Sequence, residues 1–147
     1  MRRTRVESGS PWERRFGYAR AVRAGALVAV SGTVAADEAG LPLARDPYGQ
    51  AAAIFGKIDQ ALAKAGSSLA DVVRLRVAYT NPDVAPGFLE ALTEAFPGGV
   101  PALTTLHVVS LAGPEFLLEV EADAVADDAA APRDRRDDRA PWTESSD

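Results

Sequence analysis

The sequence predicts an α+β domain in which two helices pack on one face of a mainly antiparallel sheet, in the order β-β-α-β-α-β-β. Three observations predict it. Two segments repeat apolar residues at the spacing of one helix face, other segments alternate apolar and polar residues as half-buried strands do, and short runs bearing glycine or proline separate them.

The first two strands are "FGYARAV" (Phe16–Val22) and "ALVAVSGTVA" (Ala26–Ala35), on either side of "RAG", which predicts a hairpin turning near Gly25. "ADEAGLPLARD" reads as a loop. "DPYGQAAAIFGKIDQALAKAG" reads as a helix, with Asp46 as N-cap, Pro47 at the first helical position and Gly66 as the stop. Its apolar face is Ile54, Phe55, Ile58 and Leu62, extended by Ala51 and Ala65. In "VVRLRVAYT" the alternation puts Val73, Leu75, Val77 and Tyr79 on one face and Arg74, Arg76 and Ala78 on the other. The second helix, "APGFLEALTEAF", is expected to bury Phe88, Leu89, Leu92 and Phe96. "PGGVP" ends it and "VPALTTLHVV" begins the next strand. In "FLLEVEADAVA", Leu118, Val120, Ala122 and Ala124 point one way and Glu119, Glu121 and Asp123 the other.

At 47% hydrophobic and 25% charged, 147 residues make one ordinary globular domain with a core of its own. The chain has no cysteine, which excludes disulfides, thiolate metal ligands and cysteine nucleophiles. With one histidine and no convergent carboxylates, no metal site is expected. No apolar run approaches a membrane span, and "MRRTRVESGSPWERR" lacks the apolar core of a secretory signal, so the expectation is a cytoplasmic protein away from membranes. Residues 1–10 read as a flexible basic arm, 11–126 as the domain, and 127–147, rich in alanine, proline and mixed charge, as a disordered tail. A net charge of −5 repels a phosphate backbone, so nucleic acid is not expected as the main partner, although an arginine-rich start leaves that role as a lower alternative.

The helices cover one face of the sheet. The strands "FGYARAV", "LVAVSG" and "LTTLHVV" nevertheless carry apolar residues at both parities, as strands covered on both sides do. So short a chain has no third layer, and another copy of the subunit is the natural cover.

Three stretches, "GYARAVRAGALVAVSGTVA", "ALAKAGSSLADVVRLRVAYT" and "PALTTLHVVSLAGPEFLLEVEADAV", together resemble the Rid family of YjgF-type reactive-intermediate deaminases, over roughly 11–126. The resemblance implies a chorismate-mutase-like Rid fold, a homotrimer, and small-molecule clefts between adjacent subunits. It also implies cofactor-free hydrolysis of enamines and imines. In the family, an arginine in a P-A-R-[ST] segment grips the substrate carboxylate, a glutamate on the last strand handles water, and a first-strand tyrosine and the S-G region complete the cleft. Tyr18, Ser31, Gly32 and Glu119 match those positions. The arginine is Leu103 here and the glutamine that often follows S-G is Thr33, which resembles an arginine-lacking branch with altered substrate choice.

The candidate catalytic residues are therefore Glu119, as the acid/base that exchanges a proton with water, and Tyr18, whose hydroxyl orients a ligand. The candidate substrate-binding residues are Ser31, Gly32, Leu103, Thr104, Thr105, His107 and Arg76. Leu103, Thr105 and His107 share one parity, expected to face the cleft, with histidine suited to proton transfer near neutrality. Arg76 is a candidate replacement for the missing cation, against a plain salt bridge within the sheet. For Glu119 the alternative role is an ion pair with Arg74 or Arg76. For the whole protein it is a trimer that binds a small molecule or a partner without turnover.

Overall fold

The computed structural model describes residues 2–126, so the tail at 127–147, expected to be disordered, lies outside the described residues. The elements are strand β1 (Arg3–Val6), helix α1 (Pro11–Phe16), strands β2 (Ala21–Ala24) and β3 (Leu27–Thr33), helix α2 (Pro47–Lys64), strand β4 (Val72–Tyr79), helix α3 (Ala85–Ala95), and strands β5 (Ala102–His107) and β6 (Leu118–Val125). The six strands form one sheet in the order β1-β2-β3-β6-β4-β5. Only the β4–β5 pair is parallel; the other four pairings are antiparallel. The α+β class, the mainly antiparallel sheet and the two long helices are as the sequence predicts.

Two differences lie at the N-terminus. Residues 3–6, expected as part of a flexible arm, pair with β2 as an edge strand and bury Val6. The expected first strand starts late, because residues 11–16 are helical. Ser10 caps that helix by accepting from the Trp12 amide, Pro11 fills its first position, and Gly17 ends it at φ 72°. The hairpin that follows turns at Gly25, φ 61°, as expected.

Helix α2 follows its signals. The Asp46 carboxylate accepts from the Gly49 amide at 2.7 Å, and Gly66 takes φ 72° just past the end. Arg23, buried on β2, donates from Nη1 to the carbonyls of Ala65 and Gly66, both at 2.9 Å, placing a cation on the C-terminal end of the helix dipole. Gln50, fully buried, donates to the carbonyls of Ala44 and Glu115 and accepts from the Leu117 amide, fastening α2 to the segment entering β6.

The core lies between α2, α3 and one face of the sheet: Ile54, Phe55, Ile58, Leu62, Phe88 and Leu92 from the helices meet Val28, Leu75, Val77, Leu118, Val120 and Ala122. Phe55 sits edge-on to Phe96 at 5.6 Å. Two expected core residues are not there. A register shift between Val72 and Arg74 buries Val72 and leaves Val73 half exposed. Leu89 is also half exposed, and Ala91 takes the buried place beside Leu92.

The opposite face of the sheet has no covering layer among the described residues. Leu27, Leu106 and Val125 are about half exposed there, at 50%, 53% and 53%. Arg76 lies among them, 3.4 Å from Glu121 and 3.3 Å from Asp123.

Candidate active site

A cavity of about 580 Å³ opens where the end of β3, the start of β6, helix α1 and the loop after β3 meet. Glu119, Tyr18 and Gly32 line it, so three predicted site residues come together. Gly32 is required by the approach of Glu119: a β-carbon at position 32 would collide with the carboxylate. Glu119 points from the helix-free face opposite Ala78 and accepts no hydrogen bond among the described residues. Burial, then the neighbouring Glu121, pushes its carboxyl above the ordinary value of 4.5, and the nearby Arg20 offsets this only in part. Of the alternative ion pairs for Glu119, the one with Arg76 is not formed; Arg76 is spent on Glu121 and Asp123.

Tyr18 lies between α1 and β2 rather than on a strand. Its hydroxyl accepts from Arg20 Nη2 at 3.1 Å, which leaves its own proton to donate into the cavity. Arg20 is the hub of the site and is 7% exposed. Its Nε donates to Glu13 at 2.9 Å, and its Nη1 donates to the Gly32 carbonyl at 2.8 Å and the Thr33 hydroxyl at 3.0 Å. Glu13 also accepts from the hydroxyl and amide of Ser8. Burial raises its carboxyl, but the two Ser8 bonds and then Arg20 outweigh that and hold it below 4.5. Lys57 of α2 donates to the Ala36 carbonyl from the same cavity wall, and burial, then Arg20, lowers its ammonium. Carboxylate, phenol and guanidinium thus meet in one partly dry space, with a proton acceptor and a proton donor both facing it.

The remaining predicted residues lie elsewhere. Ser31 donates its hydroxyl to the Ala19 carbonyl at 2.8 Å, tying β3 to the segment before β2, and is not among the lining residues. Leu103, Thr104, Thr105 and His107 sit on β5, at the far edge of the sheet and outside this cavity. Their facing also differs from expectation. The β4–β5 register aligns Leu103, Thr105 and His107 with Leu75, Val77 and Tyr79, on the helix-covered side, and Thr104 with Arg76 on the side of Glu119. They are exposed because the helices do not reach over the edge strand, and His107 packs edge-on against Tyr79 at 4.7 Å.

Sequence reasoning missed Glu13, Arg20, Trp12, Phe16, Lys57 and Phe116. Helix α1 had a signal, since Ser10-Pro11-Trp12-Glu13 has the spacing of a capped helix start. Arg20 had little, because it is flanked by two buried alanines and no alternation marks it. Among the described residues, no group of three or more histidine, aspartate or glutamate side chains is placed to hold a metal ion, and no helix is long and apolar enough to cross a membrane.

Comparison with known proteins agrees with this fold. The sequence profile described as Endoribonuclease L-PSP matches residues 12–126. An uncharacterized protein of Streptomyces coelicolor is 38% identical over 120 residues, 82% of this chain and 90% of that protein. The crystal structure of Rv2704 from Mycobacterium tuberculosis, a member of the YjgF/YER057c/UK114 family, superposes with a TM-score of 0.77 at 38% identity, covering 84% of this chain and 99% of that one. RidA from an Antarctic Psychrobacter superposes with a TM-score of 0.68 at 27% identity, over 74% of this chain and 87% of its own. A profile spanning nearly all the described residues, on a fold shared from end to end, leaves one assignment: the chain belongs to the YjgF/UK114 family of L-PSP proteins.

Proposed function

We propose that this protein is a cofactor-free hydrolase of the Rid type, acting on an imine, an enamine or a related reactive small molecule. Glu119 carries the reading: a carboxyl group raised by burial, on the wall of a cavity it shares with Tyr18. Glu119 takes a proton from water as the water oxygen bonds to the imine carbon. Tyr18 donates a hydrogen bond to the nitrogen. Glu119 then returns that proton to the nitrogen, giving a carbinolamine. It next takes the hydroxyl proton and passes it to the same nitrogen, so that the carbon–nitrogen bond breaks and ammonia leaves as the carbonyl forms. One imine and one water thus give one carbonyl compound and one ammonia.

The working unit in this proposal is a cytoplasmic homotrimer, in which a neighbour covers the bare sheet face and brings its β5 edge, with Leu103, Thr104, Thr105 and His107, toward the cavity. Support comes from the half-exposed Leu27, Leu106 and Val125, and from the family, whose members are typically trimers. Leu103 at the family's arginine position means that no guanidinium grips a carboxylate there, so a neutral substrate is favoured. The cavity wall carries Asp37, Glu38 and Glu119, while Arg20 and Lys57 on the same wall are bonded to Glu13 and to the Ala36 carbonyl, which disfavours a phosphodiester and hence an RNA substrate.

The test is the decay of neutral imines generated in situ from primary amines by an amine oxidase, comparing the protein with Glu119→Gln. Acceleration over the blank that falls about 100-fold or more in the variant is expected. Rates equal to the blank across a broad panel would leave the second reading, a trimer that binds without turnover, which the leucine at position 103 favours.

A further inference from the structure

Two aromatic groups on the cavity wall stay largely exposed although they pack on one another. Trp12 and Phe16, four residues apart on α1, are 43% and 66% exposed. Their rings lie nearly parallel, 7° apart with centroids at 5.9 Å. The Arg15 guanidinium sits over both, at 5.9 and 5.5 Å. Both rings line the same cavity as Glu119 and Tyr18, together with Leu43 and Phe116.

The pair is held in place. Glu13, between the two aromatics in sequence, is 4% exposed and locked to Ser8 and Arg20, and Arg20 in turn holds Tyr18. The helix that presents the rings and the phenol at the reacting end are thus joined through one buried ion pair. A cavity of about 580 Å³ also far exceeds what an imine of two or three carbons fills.

We propose that the molecule this site takes carries a flat aromatic ring, stacked on Trp12 and Phe16 beside Phe116, with its reactive carbon toward Glu119 and Tyr18. The substrate class is therefore an aryl-bearing neutral imine or enamine. Stacking fixes the ring, the apolar wall removes it from water, and no anchoring cation is needed. This rests on the hydrolase reading only for what happens at the reacting end; the ring site stands on its own geometry.

The test uses ketones, which resemble the hydrolysis product and do not react. The chain has two tryptophans, so a Trp142→Phe variant reports on Trp12 alone. Phenylacetone is expected to quench Trp12 emission saturably, while cyclohexylacetone, equally apolar but not flat, and butanone bind several-fold more weakly by calorimetry. Trp12→Ala and Phe16→Ala are expected to weaken phenylacetone by about five- to tenfold, and Phe16→Leu to behave like Phe16→Ala. Both rings are solvent-exposed, so these variants fold. Equal affinity for the flat and the puckered ring, or unchanged phenylacetone binding in the ring variants, overturns the proposal. Phenylacetone binding as described without hydrolysis of any imine supports the ring site and sinks the hydrolase reading. Hydrolysis of an aliphatic imine as efficient as that of its aryl counterpart does the reverse.

Discussion

The carboxyl group of Glu119 lies over the Cα of Gly32, so close that a β-carbon there would overlap Oε1. The colliding atom is the end of a flexible side chain, so the fold can accommodate an added methyl by turning the carboxyl away. Gly32→Ala is therefore expected to keep the melting temperature within a few degrees and to cost about 100-fold in imine hydrolysis, because a catalytic group is displaced by about 1 Å. Thermal unfolding and kinetics on the same sample check it; parallel losses in both would mean that Gly32 matters to folding alone.

Glu119 also makes a prediction in pH. Its folded-state pKa is raised above 4.5 by burial and by Glu121, so ionising it costs more in the folded than in the unfolded chain. The folded state binds more protons in the window just above 4.5, and stability falls as pH rises through it. Glu119→Gln removes that penalty. The variant should unfold at a higher temperature than the parent at pH 7, with the gap closing as pH drops toward 4.5. Activity of the parent should move oppositely, rising with pH along an acid limb that lies above 4.5, since the base must be ionised to accept a proton. A gap that is the same at both pH values would remove the burial argument for this residue.

Much of this frame was legible because period and punctuation are local. Asp46, Pro47 and Gly66 mark the ends of α2 where they stand, and the alternation of Leu118 to Ala124 gives the facing of β6. Glu119, Tyr18 and Gly32 were legible through resemblance, and the cavity unites them. What was not legible depends on pairing across the sheet. The facing of β5 is set by its parallel register with β4, and parity along one strand cannot say which face the neighbour turns to the helices. The displacement at Val72–Val73 has the same origin, since a bulge leaves no mark in the order of residues. Arg20 was hidden because its partners come from three places: Glu13 on α1, Tyr18 nearby, and Gly32 and Thr33 on β3.

That hub supports a prediction about folding. Glu13 and Arg20 form a pair whose side chains are 4% and 8% exposed. Removing one partner leaves the other buried without its counter-ion, so Glu13→Ala should destabilise by about 3–5 kcal/mol, and a double variant with Arg20→Met by less than the sum of the single changes. Denaturant unfolding with a double-mutant cycle measures this. The pH sign is opposite to that of Glu119. The Glu13 carboxyl is held below 4.5, so its contribution is present above 4.5 and is lost as pH falls through the lowered folded-state value. An additive cycle would show that the two side chains do not act on one another.

The bare sheet face supplies the last prediction. Leu27 and Val125 are register partners at one end of that face, and Leu106, opposite Ala78 on the edge strand, lies at the other. Scattered exposed leucines mean nothing, but apolar residues spread over one face of a sheet that lacks a second layer point to association. The mass in solution should be about three times the 15.4 kDa chain. Leu106→Asp puts an uncompensated carboxylate into the seam while leaving the helix-covered core untouched. It should give a folded species of one-chain mass in light scattering, with far-ultraviolet circular dichroism unchanged. Because that variant also withdraws the neighbour's β5 from the cavity, its imine hydrolysis per chain should be lost at concentrations where the parent, as a trimer, keeps its rate. A parent chain that runs as a stable monomer would remove the neighbour from the site altogether and leave the cavity at Glu119 to work with one subunit's residues.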